Sequence, residues 1–231
     1  MSRHQSNAIR EREPPINLVF YHLFNASVVF PLSHLYFRRR VYGAEHVPTS
    51  GPLVVVSNHA SDFDPPLLSS CVGRPVAYMA KEELFRVPLL KQAIQVYGAY
   101  PVKRGTADRS AIRAALEKLE MGWAVGIFLQ GTRTPDARIP SPKLGAALIA
   151  AKAQVPLLPV SLWGTEKIIP KRSTDGGNGD QGKQVLLPRS TPITVRIAAP
   201  IAPPATTDRD DLMATTRNCT DIIHTLHDLG R

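Results

Sequence analysis

The chain has 231 residues, 43% of them hydrophobic, which is enough for one substantial core and ordinary for a single α/β domain. Twenty-eight Lys and Arg against 19 Asp and Glu give a net charge of +9, so the partners to consider are anionic: nucleic acid, anionic lipid or a phosphorylated substrate. The two cysteines, Cys71 and Cys219, stand far apart in no metal-ligand spacing. This argues against a disulfide framework or a zinc site and fits a reducing, cytosol-facing location.

Residues 1–15 are polar and charged, without the apolar core and small-residue cleavage site of a signal peptide, and read as a loose terminus. From Ile16 to Phe37 the chain is apolar and aromatic, then switches abruptly to Arg38, Arg39 and Arg40. The stretch is long enough to span a bilayer, but Asn17, His22, Asn25, Ser33 and His34 are costly in hydrocarbon and Pro31 should kink a helix. Residues 16–40 are therefore expected to lie in the membrane interface, with Tyr21, Tyr36 and the arginines at headgroup level. The alternative is a kinked helix covering the core.

Residues 41–231 alternate between short β-rich runs and helical stretches. Leu53–Val56, Val76–Met79, Ala99–Val102, Ala124–Leu129, Leu157–Leu162 and Ile193–Ile197 are the expected strands. Asp108 caps a predicted helix whose apolar face is Ile112, Ala115, Leu116 and Leu119, with Gly122 as its stop. Further helices are predicted from Pro142 to Ala153 and from Asp208 to Leu229, and Ser173–Gly182 reads as a surface loop. The fold class expected is α/β, a mixed central sheet flanked by helices, behind an N-terminal membrane-associating helical segment.

The chemistry concentrates in Ser57-Asn58-His59-Ala60-Ser61-Asp62-Phe63-Asp64-Pro65-Pro66, directly after the strand Leu53–Val56. Pro65 and Pro66 suit the first turn of a helix, so Asp64 is expected to cap it and residues 59–63 to form a loop. In a loop a carboxylate can reach one ring nitrogen of His59 and leave the other as a base facing a cleft. Spacing alone leaves Asp62 and Asp64 as rival partners. Lys103-Arg104-Gly105 puts two cations at a strand end, a plausible phosphate seat, although Lys103 alone would more often be a solvated charge. Gly131-Thr132-Arg133 offers backbone amides, a hydroxyl and a guanidinium after another strand, or simply a turn. Neither Cys71 nor Ser57 has a nucleophile context, and no P-loop, dinucleotide or nucleic-acid motif appears.

These blocks resemble, in order, those of the 1-acyl-sn-glycerol-3-phosphate acyltransferases and related glycerolipid acyltransferases. The first is Asn58-His59 with Asp64 five residues on, the second Gly98 to Gly105, the third Phe128-Leu129-Gln130-Gly131-Thr132-Arg133 and the fourth Val155 to Val160. Similarity runs from about Tyr42 to Glu166, over half the chain. The resemblance selects Asp64 over Asp62. It implies that His59 is a general base for transfer of a fatty acyl group to the sn-2 hydroxyl of a lysophosphatidic acid, forming phosphatidic acid. It also implies that Lys103, Arg104, Gly131, Thr132 and Arg133 seat the acceptor phosphate, that Asn58 and Gln130 are acceptor contacts, and that Val155, Pro156 and Pro159 wall the acyl donor. No metal or cofactor is expected. The co-substrate is an acyl carrier protein or coenzyme A thioester, and the partners are an anionic membrane surface, on its cytoplasmic face, and a lysophospholipid.

One residue departs from the family pattern, Gln130, where the resemblance implies Glu. The amide keeps the shape and one acceptor oxygen but loses the charge. It leaves open another acceptor, such as glycerol-3-phosphate or a different lysophospholipid, or a weakened lipid-binding protein.

Overall fold

A computed structural model describes residues 15–86, 88–96, 98–102, 109–169 and 188–231. Seven strands form one mixed sheet: β1 Arg40–Tyr42, β2 Leu53–Ser57, β3 Val76–Lys81, β4 Tyr100–Val102, β5 Ala124–Phe128, β6 Leu157–Trp163 and β7 Thr194–Ile197, in the order β1-β7-β6-β2-β5-β3-β4. All pairs are parallel except β6 with β7. The expected strands form within a residue or two of their predicted bounds. β1 was not among them, because its three residues carry no buried apolar face and its pairing partner lies about 150 residues downstream.

β2 is the middle strand and all five of its residues are buried, as a parallel strand covered on both faces requires. Its side chains alternate between two cores. Leu53 and Val55 face Leu67, Leu68 and Val72 of α2 (Asp64–Val72); α3 (Pro88–Val96) precedes β4; and Val54 and Val56 share a cluster with Ala115 and Leu119 of α4 (Arg109–Glu120), Ile149 of α5 (Gly145–Ala153) and Ile223 of α6 (Arg209–Asp228). Burying each such aliphatic side chain contributes roughly 1.5–3 kcal/mol. α4 stops where expected: Gly122 adopts a φ of +86° and the Trp123 amide reaches back to the Lys118 carbonyl at 3.0 Å, a left-handed helix end. The predicted cap Asp108 and the Ser173–Gly182 loop lie outside the described residues.

The N-terminal segment is a helix, α1 (Pro15–Phe24), continued by π-type turns at Asn25–Val29 and Leu32–Tyr36. Pro31 sits between them, so the ring that lacks an N–H is accommodated by widened turns on either side instead of a sharp break. Among the described residues no helix is long and apolar enough to cross a membrane. Tyr21 corrects the headgroup reading. It is buried beside Val29, with its hydroxyl donating to the Arg74 carbonyl at 3.3 Å. Arg39 also turns inward, donating to Ser70 Oγ at 2.6 Å under the Phe30 ring, while Arg38 and Arg40 stay exposed. Tyr36 is exposed and donates to the Pro188 carbonyl at 2.6 Å. One side of this helix remains uncovered: Val19, Phe20, Leu23, Val28 and Leu35 are all exposed.

Candidate active site

β2 delivers the site. Its carboxyl end at Ser57 is level with Phe128 of β5 on one side and Val160 of β6 on the other, in the crevice where open α/β sheets present ligands. The residues after Ser57 turn over this crevice. Pro65 and Pro66 then open α2 without amide protons and the Leu67 amide is taken by the Phe63 carbonyl at 3.1 Å, so the Asp64 carboxylate turns back on the loop instead. Asp64 is therefore not the expected helix cap. Its Oδ2 accepts from the Ala60 amide at 2.7 Å, the Ser61 amide at 2.8 Å and His59 Nδ1 at 2.8 Å, and the carboxyl is fully buried. With Nδ1–H donated to the carboxylate, the lone pair of His59 resides on Nε2. The imidazole is mostly buried and lies flat on Phe128, with centroids 4.0 Å apart, and Tyr78 continues the stack at 5.9 Å. The ring is thus fixed at its edge by charge and on its face by packing.

Asp62, the rival by spacing, is exposed and ion-pairs with Arg133. Both side chains are at least half exposed, so the pair holds by about 0–1 kcal/mol and a phosphate can take over the guanidinium at little cost. Gly131 and Thr132 are exposed at the turn after β5. Gly131 has a φ of +70° and its amide bonds the Phe128 carbonyl at 3.0 Å. Lys103 and Arg104 lie outside the described residues.

Asn58 extends the β2–β6 ladder with its side chain: Oδ1 accepts from the Leu162 amide at 2.8 Å, and Nδ2 donates to the Leu162 carbonyl at 2.8 Å and the Ala137 carbonyl at 3.0 Å. Both of its polar atoms are engaged within the protein and the residue is fully buried. Asn58→Ala is expected to lower unfolding free energy by about 2–4 kcal/mol, because buried backbone groups lose their partners at roughly 1–3 kcal/mol each. Urea denaturation checks this, and an unchanged midpoint would show that the groups find other partners.

Gln130 is also buried, its Nε2 donating to the His59 carbonyl at 2.9 Å. The fourth block divides. Pro159 is buried one register position before Val160, but Val155 and Pro156 precede the first residue of β6. With about 3.3 Å per residue, Pro156 is roughly 13 Å below the level of Ser57.

Several supports of the site are not among the expected site residues. Phe128 is one, although an aromatic two residues before Gln130 at a strand end is a signal for it. The others lie in the 131–144 segment: Thr134 N bonds the His59 carbonyl at 2.9 Å, His224 of α6 accepts from the Ile139 amide at 3.1 Å, and Arg138 ion-pairs with Asp228.

Cys71, Cys219 and Ser57 are poorly placed for covalent chemistry. Burial pushes the Cys71 thiol up to about 11 despite the Arg39 guanidinium beside it, and burial pushes Cys219 up to about 12, so neither is a thiolate near neutrality. Ser57 is fully buried, with its hydroxyl turned to the Asn58 carbonyl at 3.1 Å. What the strand end presents is an imidazole oriented by a buried carboxylate, a pairing shared by a broad class of enzymes.

Comparison narrows that class. The Acyltransferase family model matches residues 38–163, more than half of the chain, and the chain belongs to this family. A chloroplastic 1-acyl-sn-glycerol-3-phosphate acyltransferase of Brassica napus is 34% identical over 157 residues, 66% of this chain and 45% of the relative. The 1-acyl-sn-glycerol-3-phosphate acyltransferase of Bacillus subtilis is 33% identical over 128 residues, 54% of this chain and 62% of the relative. This chain therefore spans less than half the length of the plant relative it matches. The crystal structure of the 1-acyl-sn-glycerophosphate acyltransferase from Thermotoga maritima superposes with a TM-score of 0.71 at 25% identity, covering 93% of this chain and 81% of that one.

Proposed function

We propose that this protein transfers a fatty acyl group from a thioester to the sn-2 hydroxyl of 1-acyl-sn-glycerol-3-phosphate, giving phosphatidic acid, with His59 as the general base. The observation that carries the reading is the buried Asp64 carboxylate on His59 Nδ1, which dedicates Nε2 to accepting a proton. The acceptor hydroxyl gives its proton to Nε2 as its oxygen attacks the thioester carbonyl. The C–S bond then breaks and the departing sulfur takes the proton back from the imidazolium. Asp64 stabilises the imidazolium while it exists. A positioned base supplies roughly 10²–10⁴-fold, so holding the acceptor supplies much of the rest.

In this reading Arg133 exchanges Asp62 for the acceptor phosphate, joined by Lys103, Arg104 and the Gly131-Thr132 turn, and the acceptor class follows the names of the relatives. The donor is an acyl carrier protein or coenzyme A thioester, either of which a basic protein attracts. Gln130, the one departure from the family pattern, leaves the acceptor preference to be measured. An acceptor series tests it: 1-acylglycerol-3-phosphate should be the preferred substrate, and faster transfer to glycerol-3-phosphate or lysophosphatidylcholine would replace the acceptor while keeping the base.

The enzyme works at the membrane surface, on its cytoplasmic side, through the uncovered helix face of Phe20, Leu23 and Leu35, the last 74% exposed, flanked by Arg38 and Arg40. Replacing Phe20, Leu23 and Leu35 together by Ser should weaken vesicle partitioning on the order of 100-fold, at roughly 1 kcal/mol or more for each apolar side chain withdrawn from lipid. Sedimentation with anionic vesicles measures it. Undiminished binding would move the membrane contact elsewhere.

A further inference from the structure

We propose that Gln130 is a positioning residue: its side-chain amide clamps the backbone carbonyl of His59 and so fixes the imidazole, in place of contacting the acceptor. The inference rests on the reading of His59 as the base. Gln130 is 5% exposed, and its Nε2 lies 2.9 Å from the His59 carbonyl and 3.3 Å from Thr134 Oγ1. A carbonyl only accepts, so the nitrogen end of the amide must face it. Thr134 Oγ1 gives its own proton to the Arg138 carbonyl at 2.7 Å and is free to accept from Gln130. Both amide protons are thereby spent on tying three segments together: the end of β5, the catalytic loop and the turn at Thr134. The His59 carbonyl takes its second bond from the Thr134 amide at 2.9 Å. Phe128 grips the imidazole ring two residues before Gln130 grips the backbone, so the end of β5 holds His59 at both ends.

Two substitutions separate a donor from a charge. Gln130→Met keeps the length and removes the donor. Gln130→Glu keeps the shape, but when ionised it aims lone pairs at the His59 carbonyl, and only its protonated form donates. The donor form is the low-pH form, so Gln130→Glu activity relative to wild type should be highest at acid pH and fall as pH rises through the titration of the new carboxyl. Gln130→Met should lose activity by the same factor at every pH. In Gln130→Met the loss should fall on kcat, on the order of 10–100-fold, with KM for 1-acylglycerol-3-phosphate unchanged, since a misplaced base slows chemistry without loosening the acceptor.

The test is kcat and KM across pH for wild type and both variants, with ¹⁵N NMR of the His59 imidazole and amide exchange at Thr134 as readouts that need no turnover. The expected result is a kcat loss with altered His59 resonances and faster Thr134 exchange. A raised KM with kcat intact, or a Gln130→Glu to wild-type ratio that is flat with pH, overturns the clamp. If wild type forms no product, the transferase reading fails, and unchanged His59 resonances and Thr134 exchange in both variants would overturn the clamp separately.

Discussion

His59→Ala should lower the rate of acyl transfer by at least roughly 10²–10⁴-fold, the contribution of a positioned general base, while the protein still folds. Folding survives because Asp64 Oδ2 keeps the Ala60 and Ser61 amides when the imidazole is gone, so the carboxylate is not left without donors. The stability lost is that of one ring stacked on Phe128, about 0.5–1.5 kcal/mol beyond its buried area. Single-turnover rates with acceptor saturating isolate the chemical step, and vesicle binding of the variant provides the control. Transfer at the wild-type rate by a folded His59→Ala protein would remove the imidazole from the mechanism.

Asp64→Asn should cost both activity and stability, and in separable ways. An amide oxygen placed where Oδ2 now stands can still accept from the two loop amides and from His59 Nδ1, but it no longer carries the charge that stabilises an imidazolium. Loss of the equivalent carboxylate in a Ser-His-Asp triad lowers kcat about 10⁴-fold, and a fall on the order of 10³-fold is expected here. The new NH₂ group would occupy the position of Oδ1, which is buried without a hydrogen-bond partner among the described residues. An unpaired buried donor costs about 1–3 kcal/mol, so the melting temperature should fall as well. A variant that melts early yet keeps the wild-type kcat would reduce Asp64 to a loop fastener.

Much of this arrangement was legible in the sequence because it depends on local pattern. Apolar runs such as Leu53–Val56 announce buried strands, and a His between such a run and two prolines announces a loop at a strand end. The choice between Asp62 and Asp64 was not legible from spacing. It turns on which carboxylate finds donors: Pro65 and Pro66 offer no amide protons, the Leu67 amide goes to the Phe63 carbonyl, and Asp64 turns back to residues 59–61. Asn58 and Gln130 were expected as acceptor contacts from the family resemblance alone. Their actual partners, Leu162, Ala137, the His59 carbonyl and Thr134, are set by strand order, which no local pattern encodes. Register likewise explains the fourth block, since the length of β6 carries Val155 and Pro156 away from the end where His59 sits.

The central claim is tested most directly by incubating purified protein with vesicles of 1-acylglycerol-3-phosphate and an acyl thioester, acyl carrier protein and coenzyme A forms in turn, and measuring phosphatidic acid and free thiol together. The account predicts equimolar phosphatidic acid and thiol with at least one donor, and neither above background with His59→Ala. Thiol release without phosphatidic acid, or no product with either donor, would contradict it.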